Sequence, residues 1–506
     1  MTIPGKATVA GTQQYARRFS SITYVPFGHP GWYVSQAGFG GYRIDKDNGS
    51  HEQALRFALQ NGINLVDTSS NYTDGNSERL VGRVLVELVD RGELGRDEVV
   101  IISKAGYLQG FNYALAERRK QEGRPFPNLI KYAEGLDYCV HPDFLADQLT
   151  RSLERLNLES LDVFLLHNPE YYLMWAQRAH IPREEAWAEY YRRLREAFLH
   201  LEAEVAHGRI QCYGVSSNTF PDPAGHFTFT SLSRLWQIAA EINPEHHFRV
   251  VQLPMNLFEA GAATEQNQPD RQTVLQIAHD HNLAVLVNRP LNAFREHTLT
   301  RLAHVDMPNY PAPPEDVSTS VDTLVKLEKE FQTHLLPTLP IDTEKMTFLS
   351  QHLALGTMLE GHWGGFGTYQ NWVDLRAQFL LPRTQTAVEF LSNLENLPVE
   401  SLEWLDSYVE SANMALAAIT AYYQEIAARR TEHIWQAAKN ADADWSAKTL
   451  SQTAVRALRS TQGVTTVLVG MRRQAYIQDV LIDLQIPVSV KKRDVSWQKM
   501  EDWTKR

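Results

Sequence analysis

Residues 161–167 have the sequence LDVFLLH, and seven further apolar runs of similar length recur along the chain. Each run is almost continuously apolar and rich in β-branched residues, which is typical of a parallel strand buried on both faces. Amphipathic helical patterns lie between the runs; in the one at 50–62, Ser50 is the expected N-cap and Gly62 lies just past the end. The other seven runs are QAGFGGY (36–42), INLVDT (63–68), VVIISK (99–104), IQCYGVS (210–216), FRVVQLP (248–254), LAVLVN (283–288) and VTTVLVG (464–470).

Strand followed by helix, repeated eight times, predicts a closed (β/α)8 TIM barrel of the α/β class. An open doubly wound sheet is the alternative, but eight units without GxGxxG after the first run favour the barrel. The gap between the seventh and eighth runs holds roughly 150 residues more than a loop needs. Helical patterns at 320–336 and 401–439 predict that this insertion is mostly helical. The predicted domains are a barrel, 1–294 and 446–506, and a helical insertion, 295–445, expected to form a lid over the C-terminal face.

The charge and composition of the chain narrow the possible functions. The 506 residues include 49 Lys and Arg against 60 Asp and Glu, a formal net charge of -11. Nucleic acid and anionic membranes are therefore not expected as partners. A small-molecule partner is expected, and the sequence leaves open whether a protein partner exists. Cys139 and Cys212 are too few for a disulfide framework, and neither a signal peptide nor a membrane-spanning run is apparent. We therefore expect a cytoplasmic protein.

Four polar residues are expected to meet at one end of the barrel. Asp67 ends the second predicted strand, Lys104 the third and His167 the fourth, while Tyr72 follows Asp67 by five positions. Neighbouring strands lie ~4.8 Å apart, so side chains at the same end of adjacent strands can share one pocket. Taken singly, each residue has a structural explanation, as a turn cap, a surface lysine, a core histidine or a packed loop tyrosine. Their convergence favours a catalytic site.

The string DTSSNYTDGNSERLVG (67–82), together with SK at 103–104, LLHNP at 165–169 and GVSSN at 214–218, resembles the aldo-keto reductase family. The resemblance extends over 20–290 and 446–483. It implies a (β/α)8 barrel enzyme that interconverts a carbonyl and an alcohol with a nicotinamide cofactor. Its implied catalytic residues are Asp67, Tyr72, Lys104 and His167.

The roles that the resemblance implies have a chemical basis. Tyr72 would give its proton to the carbonyl oxygen, and Lys104 is expected to lower the pKa of this phenol from its ordinary value near 10. Asp67 would keep Lys104 charged, and His167 would direct the carbonyl oxygen by a hydrogen bond. Two alternatives stay open: a lyase that forms a Schiff base on Lys104, and a cofactor-binding regulatory protein that docks a partner through the insertion.

The resemblance also implies a set of cofactor-binding residues. Ser217 is expected at the nicotinamide carboxamide, with Ser216 as its alternative, and Asn288 stands where the family commonly has an aromatic residue. Paired glycines on the first strand either let the backbone approach the ring or mark a tight bend. The candidates are Gly40, Gly41, Ser217, Asn218, Gln252, Asn288, Arg289, Gly470, Arg472 and Arg473.

The segment GMRRQAYIQDV (470–480) resembles the family's adenosine-phosphate loop at the start of a helix. Arg472 falls where an arginine often pairs with a 2'-phosphate, which favours NADP over NAD because a planar guanidinium suits bidentate phosphate contact. Ordinary surface charge is the alternative explanation for Arg472 and Arg473. NAD therefore remains a possible cofactor.

Two further patterns are given structural interpretations. GHWGGFGTYQNW (361–372) lacks the lysine of a phosphate-binding loop, so its Trp363, Tyr369 and Trp372 either pack in the insertion or stack on a sugar or aromatic compound. His246 and His247 are not followed by third and fourth ligands at a recognisable spacing. No metal site is predicted.

Overall fold

The centre of the computed structural model, which describes residues 2–295 and 298–505, is a closed barrel of eight parallel strands. Met1, Arg506 and 296–297, which fall within the predicted domains, lie outside the described residues. The strands are β1 Ala37–Gly40, β2 Leu65–Asp67, β3 Val100–Ala105, β4 Leu161–His167, β5 Ile210–Ser216, β6 Phe248–Pro254, β7 Ala284–Asn288 and β8 Thr466–Val469.

The order of the strands around the barrel follows the chain, and β8 pairs with β1 to close the ring. Seven strands lie inside their apolar runs, and β3 extends one residue past the end of its run, to Ala105. The agreement arises because strands buried on both faces leave a continuous apolar signature in the sequence. The predicted (β/α)8 barrel is confirmed. The closure between β8 and β1 rules out the open doubly wound alternative.

One helix of the outer layer follows each strand in the chain, and the eighth strand is preceded by the large insertion. The first helix begins at Gly49 and is capped by Asn48, whose side chain accepts from the backbone N–H of Ser50, so Ser50 is not the N-cap. Gly62 lies past its end in a left-handed conformation, φ +105°. The helices are α1 Gly49–Gln60, α2 Asn76–Asp90, α3 Pro142–Leu156, α4 Arg183–Ala206, α5 Leu232–Ile242, α6 Val274–Asp280, α7 Leu450–Arg459 and α8 Gln474–Leu484.

The barrel unit also contains short strands and helices outside the eight β/α repeats. A small three-stranded sheet and a helix follow β3, and a hairpin follows β7. These elements are the hairpin Tyr24–Pro26 and Tyr33–Ser35, the sheet Tyr107–Leu108, Ile130–Ala133 and Leu136–Tyr138, the hairpin Asn292–Arg295 and Thr298–Arg301, and the helices Val9–Arg18, Gly110–Gln121, Tyr171–Arg178, Gly261–Thr264 and Asp494–Thr504.

The barrel interior is filled by aliphatic side chains from successive strands. Leu65, Val100, Val163 and Leu286 belong to one cluster that is almost completely shielded from solvent. Trp32, from the turn of the first hairpin, packs in the same cluster. This rigid interior leaves the strand ends to carry polar groups.

The residues between β7 and α7 include a second compact unit, His304–Ile434. It is helical, as the sequence pattern indicated, and has its own core, in which Trp372, Trp404 and Tyr408 are buried. Trp372 donates from its indole Nε1 to Thr420, so this part of the glycine-rich segment packs in the core of the unit. That the unit acts as a lid stays a prediction. Its helices are Pro314–Glu330, Thr343–His352, Leu355–Leu359, Tyr369–Leu375, Leu381–Ser392 and most of Val399–Ala441.

Two general features of the described residues bear on function. None of the helices among them is both long enough and apolar enough to cross a membrane. Cys139 and Cys212 are free and buried, and burial raises the pKa of the Cys139 thiol to about 12. Neither cysteine therefore has the thiolate character of a reactive one.

Candidate active site

A buried ion pair joins the ends of two neighbouring strands. Lys104 Nζ donates to Asp67 Oδ1 at 2.6 Å and to the carbonyl oxygen of Thr68 at 2.7 Å. Lys104 is fully shielded from solvent, and burial lowers the pKa of its ammonium, while Asp67 acts in the opposite direction. A buried charge needs such a partner, because desolvation alone would neutralise it.

Tyr72 lies beside this pair, in a tight turn after β2. Lys104 Nζ is 5.0 Å from the centre of the Tyr72 ring. The next two residues, Thr73 and Asp74, have left-handed backbones with φ of 45° and 55°. Thr73 Oγ1 donates to the carbonyl oxygen of Ile44 and Asp74 accepts from the backbone N–H of Phe111, and these contacts hold the strained turn. These contacts fix the backbone of the turn that carries Tyr72.

The expectation that Lys104 lowers the pKa of Tyr72 is wrong for this structure. The pKa of Tyr72 is raised well above 10, first by burial and then by the charge of Asp67. Both hydrogen bonds that Lys104 Nζ makes among the described residues go to Asp67 and Thr68, so the ammonium charge is largely compensated there. Tyr72 therefore keeps its proton at neutral pH.

His167, at the end of β4, completes the group. Its ring meets the Tyr72 ring edge to face, with centroids 5.8 Å apart, and the Tyr107 ring at 4.8 Å. Burial, and secondarily Lys104, lowers the pKa of His167 well below its usual value, so the imidazole is neutral. Its Nδ1 lies 3.1 Å from the hydroxyl of Ser69. The four side chains therefore lie close together, and that they form a catalytic site stays a prediction.

Ser69 is a site residue that sequence reasoning missed. It is buried, and besides His167 its hydroxyl bonds Oδ1 of Asn71 at 2.7 Å. A hydrogen bond to one ring nitrogen fixes the orientation of the ring and the availability of the other nitrogen. Only the spacing of Ser69 two positions after Asp67, which returns its side chain to the same face of an extended chain, hinted at this contact.

The residues expected at the carboxamide form a network at the ends of β5 and β6. Gln252 donates to Asp67 Oδ1 at 2.9 Å and accepts from Ser216 Oγ at 3.0 Å. The hydroxyl of Ser217 instead bonds Thr219 and Thr230. Ser216, the alternative left open by the sequence, is thus the serine that shares the Gln252 amide.

Glu170 is a second residue that sequence reasoning did not place in the site. Its carboxyl group is completely buried and accepts from the backbone N–H of Asn218 at 2.8 Å, while Oε2 has no hydrogen-bond partner. Burial raises its pKa to about 7. Glu170 therefore anchors the turn that carries Asn218.

A third missed residue, Glu78, lies behind Lys104. Its two oxygens accept from Ser103 Oγ and from Arg155 Nε, both at 2.5 Å, and the side chain is buried. Its charge also opposes the lowering of the Lys104 pKa. Glu78 thereby supports the charged form of Lys104 in addition to Asp67.

The paired glycines at the end of β1 have a packing role. A Cβ on Gly41 would lie 2.9 Å from the carbonyl oxygen of Asp67, and one on Gly40 would lie 3.1 Å from that of Val469. Gly41 also donates to Asp67 through its backbone N–H. The close approach of β1 to its two neighbours thus requires glycine at these positions.

Asn288 and Arg289 differ in their surroundings although they are adjacent. Asn288 Oδ1 is buried without a hydrogen-bond partner. Arg289, with φ of 54°, pairs with Glu259 at 2.7 Å. Asn288 therefore offers an acceptor to a ligand, whereas the charge of Arg289 is already compensated.

The segment after β8 gathers positive charge. Arg472 is half-buried, and its pKa is lowered by burial and then by the guanidinium groups of Arg43 and Arg301. Helix α8 follows, and its N-cap, Arg473, makes no side-chain cap, so N–H groups of its first turn remain available. Gly470 is exposed, and a Cβ at this position would meet no atom within 4 Å. Like charges beside a helix start suit an anionic ligand.

Among the described residues, no three His, Cys, Asp or Glu side chains are arranged to hold a metal ion. His247 instead bonds Glu202 at 2.9 Å, and His246 packs edge-on against Trp236. These contacts account for the histidine pair structurally.

A phenol, a neutral imidazole and a buried ammonium–carboxylate pair thus lie close together at the C-terminal ends of adjacent strands of a (β/α)8 barrel. A model of the aldo/keto reductase family matches residues 37–327, more than half of the chain. The chain therefore belongs to the aldo/keto reductase family.

Several curated proteins are similar over part of the chain. D-arabinose 1-dehydrogenase of Saccharomyces cerevisiae is 32% identical over 122 residues, 24% of this chain and 27% of that protein. The NADH-specific methylglyoxal reductase of Escherichia coli is 26% identical over 151 residues, 28% of this chain and 41% of that protein. The aldo-keto reductase YhdN of Bacillus subtilis is 24% identical over 272 residues, 53% of this chain and 61% of that protein. The chain spans less than two thirds of the length of each of these relatives.

Two solved structures are also similar. The aldo-keto reductase AKR11C1 from Bacillus halodurans, holo form, is 13% identical with a TM-score of 0.44, covering 95% of this chain and 96% of that one. An aldo/keto reductase from Klebsiella pneumoniae in complex with NADP and acetate is 22% identical with a TM-score of 0.33, covering 53% of this chain and 68% of that one.

Proposed function

We propose that this protein is an NADP-dependent oxidoreductase that interconverts a carbonyl compound and an alcohol, with Tyr72 as the proton donor in the reducing direction. One observation carries the proposal: Tyr72 lies between the neutral imidazole of His167 and the Lys104–Asp67 pair, and all four side chains are held by buried contacts. The family to which the chain belongs makes this chemistry the expected one.

Tyr72 is suited to donate rather than to accept a proton. Because burial keeps its phenol protonated, the acid form is present throughout neutral pH. A carbonyl oxygen that gains electron density becomes far more basic and takes the proton. In the oxidising direction the phenol must first lose its proton, so high pH should favour that direction.

Lys104 and His167 both neighbour the proton donor Tyr72. Lys104 is kept charged by Asp67 and Glu78 and lies 5.0 Å from the centre of the Tyr72 ring. His167 is neutral and offers one ring nitrogen to the pocket, since Ser69 occupies the other. The tautomer that carries its hydrogen on this second nitrogen can donate it to the carbonyl oxygen and so orient the carbonyl.

The residues present fit a nicotinamide dinucleotide. When bound, NADPH supplies the hydride. The buried, unpartnered Oδ1 of Asn288 would accept a hydrogen bond from the N–H of the nicotinamide carboxamide. The second N–H of the Gln252 amide would donate to the oxygen of the same carboxamide. Arg472 and the start of α8 would hold the 2'-phosphate, because half-buried like charges are relieved by an anion.

A lyase that forms a Schiff base on Lys104 is less consistent with the contacts. Its Nζ is fully buried and held by two hydrogen bonds of 2.7 Å or less. A nucleophilic amine must lose its proton and reach the substrate, and Asp67 opposes the first requirement. Borohydride trapping of a substrate on Lys104 would nevertheless support that chemistry.

The direct test is a panel of sugars, aldehydes and steroids mixed with the purified protein and NADPH. We expect loss of NADPH absorbance with at least one carbonyl and a change in NADPH fluorescence on binding. NADH is run in parallel as the cofactor control. A protein that binds neither cofactor, or binds NADPH but oxidises it with no carbonyl of the panel, would contradict the proposal.

A further inference from the structure

The charges of the chain are distributed unequally between its two units. The helical unit His304–Ile434 contains eighteen Asp and Glu against seven Lys and Arg, a difference of eleven. The whole chain has a net charge of -11, so the barrel unit is balanced and the helical unit carries all of the excess. Between Arg383 and Arg429 there are seven carboxylates and no Lys or Arg.

This acidic segment borders an apolar groove within the helical unit. The groove has a volume of about 720 Å³ and lies between the helices Leu381–Ser392 and Val399–Ala441. Val388, Leu405 and Val409 form its apolar lining, at positions that pack against the core of the unit.

The rim of the groove combines a methionine with carboxylates. Met414 is 59% exposed, and Asp406 and Glu410 are exposed on the same helix face at a spacing of four residues. Neither carboxylate forms an ion pair with a Lys or Arg among the residues that the structure describes. The lining contains no cationic side chain.

We propose that this groove, Val388 to Ala417, is a docking site for a cationic amphipathic helix of a partner protein. An apolar channel between two helices accepts the apolar face of a third, and an exposed methionine adapts its shape to the helix that enters. Unpaired carboxylates along the rim attract Lys and Arg on the flanks of the incoming helix and repel acidic ones. This docking function is independent of the reaction proposed for the barrel.

The test uses the full-length protein and a fluorescent synthetic helix of about five turns, with Leu on one face and Lys on the other. We expect the anisotropy of the peptide to rise on titration with the protein, and the affinity to fall as salt is added. A peptide with Glu in place of every Lys should not bind. Failure of the Lys peptide to bind would overturn the proposal.

Variants separate the groove from general electrostatic attraction. The pair Asp406→Lys and Glu410→Lys should weaken binding at least about tenfold, and Met414→Ser about threefold, consistent with loss of ion pairs and of an apolar contact. The control pair Asp322→Lys and Glu344→Lys reverses two exposed charges on other helices of the unit, with the same change in net charge. Equal weakening by both pairs would overturn the proposal. A dimer in sedimentation that Met414→Ser dissociates would also overturn it, in favour of a second copy as the occupant.

Discussion

The side-chain amide of Gln252 donates to Oδ1 of Asp67, the same oxygen that accepts from Lys104. Asp67 ends β2, and Gln252 lies two residues before the end of β6, on the opposite side of the eight-stranded ring, so the contact crosses the barrel. One carboxylate therefore orients both the ammonium group beside Tyr72 and an amide expected at the cofactor. Asp67 links the two halves of the proposed site.

The first prediction concerns this carboxylate. Asp67→Asn leaves Lys104 buried without the carboxylate that it bonds, and breaking a buried pair in this way should lower the free energy of unfolding by about 3–5 kcal/mol. Denaturant unfolding measures the change. The control is Glu52→Gln, whose pair with Arg56 is partly exposed and should contribute below about 1 kcal/mol. Equal effects of the two substitutions would show that Asp67 is not the anchor.

A second prediction tests Ser69 as the residue that positions His167. Ser69→Ala removes the hydrogen bond to Nδ1 and should lower kcat about tenfold, the equivalent of about 1.4 kcal/mol, while the Kd for NADPH is unchanged. Ser69→Thr, which keeps the hydroxyl, should recover part of the activity. Ser70→Ala is the matched control, because the Ser70 hydroxyl is buried without a partner. An unaltered kcat in Ser69→Ala would show that Ser69 does not position His167 for the reaction.

The third prediction is a pH dependence of stability from Glu170. Its pKa is about 7 in the folded protein against 4.5 as the reference for the unfolded chain, so folding favours the protonated form. The contribution of the protonated Glu170 carboxyl group to the free energy of unfolding is fully present below pH 4.5 and is lost as pH rises through 7. Glu170→Gln should therefore be more stable than the wild type by about 3 kcal/mol at pH 8 and no more stable at pH 4.

Thermal or denaturant unfolding at the two pH values checks the Glu170 prediction. Glu189 supplies a control of opposite sign, because its pairs with Arg192 and Arg193 lower its pKa to about 2. Glu189→Gln should cost stability above pH 4.5 and none near pH 2. A gain for Glu170→Gln that does not depend on pH would argue against titration of this carboxyl group.

The fourth prediction concerns the choice of cofactor. Arg472→Ala should raise the Kd for NADPH at least about tenfold and leave that for NADH nearly unchanged, since only NADPH carries the 2'-phosphate. Fluorescence titration with both cofactors measures this. Arg289→Ala is the comparison, because Arg289 is already paired with Glu259. If Arg472→Ala lost affinity equally for NADPH and NADH, Arg472 would have a role other than binding the 2'-phosphate.

The sequence predicted the barrel and the place of the four polar residues because both depend on local signals. A strand buried on two faces is apolar throughout, and a lone polar residue at its end marks the mouth of the barrel. Contacts between residues that are distant in the sequence could not be predicted from such local signals. Glu170 and Glu78 are buried by elements distant in sequence, and the pKa of Tyr72 is decided by burial that no spacing reveals.

The central claim is that Tyr72 supplies the proton, and Tyr72→Phe tests it most directly. With a carbonyl that the wild type reduces, the rate of NADPH oxidation in a single turnover should fall at least about 100-fold, while the Kd for NADPH changes by less than about twofold. Tyr42→Phe is the control, since Tyr42 meets the Tyr72 ring edge to face but is 62% exposed. A Tyr72→Phe protein that reduces the carbonyl at the wild-type rate would contradict the account.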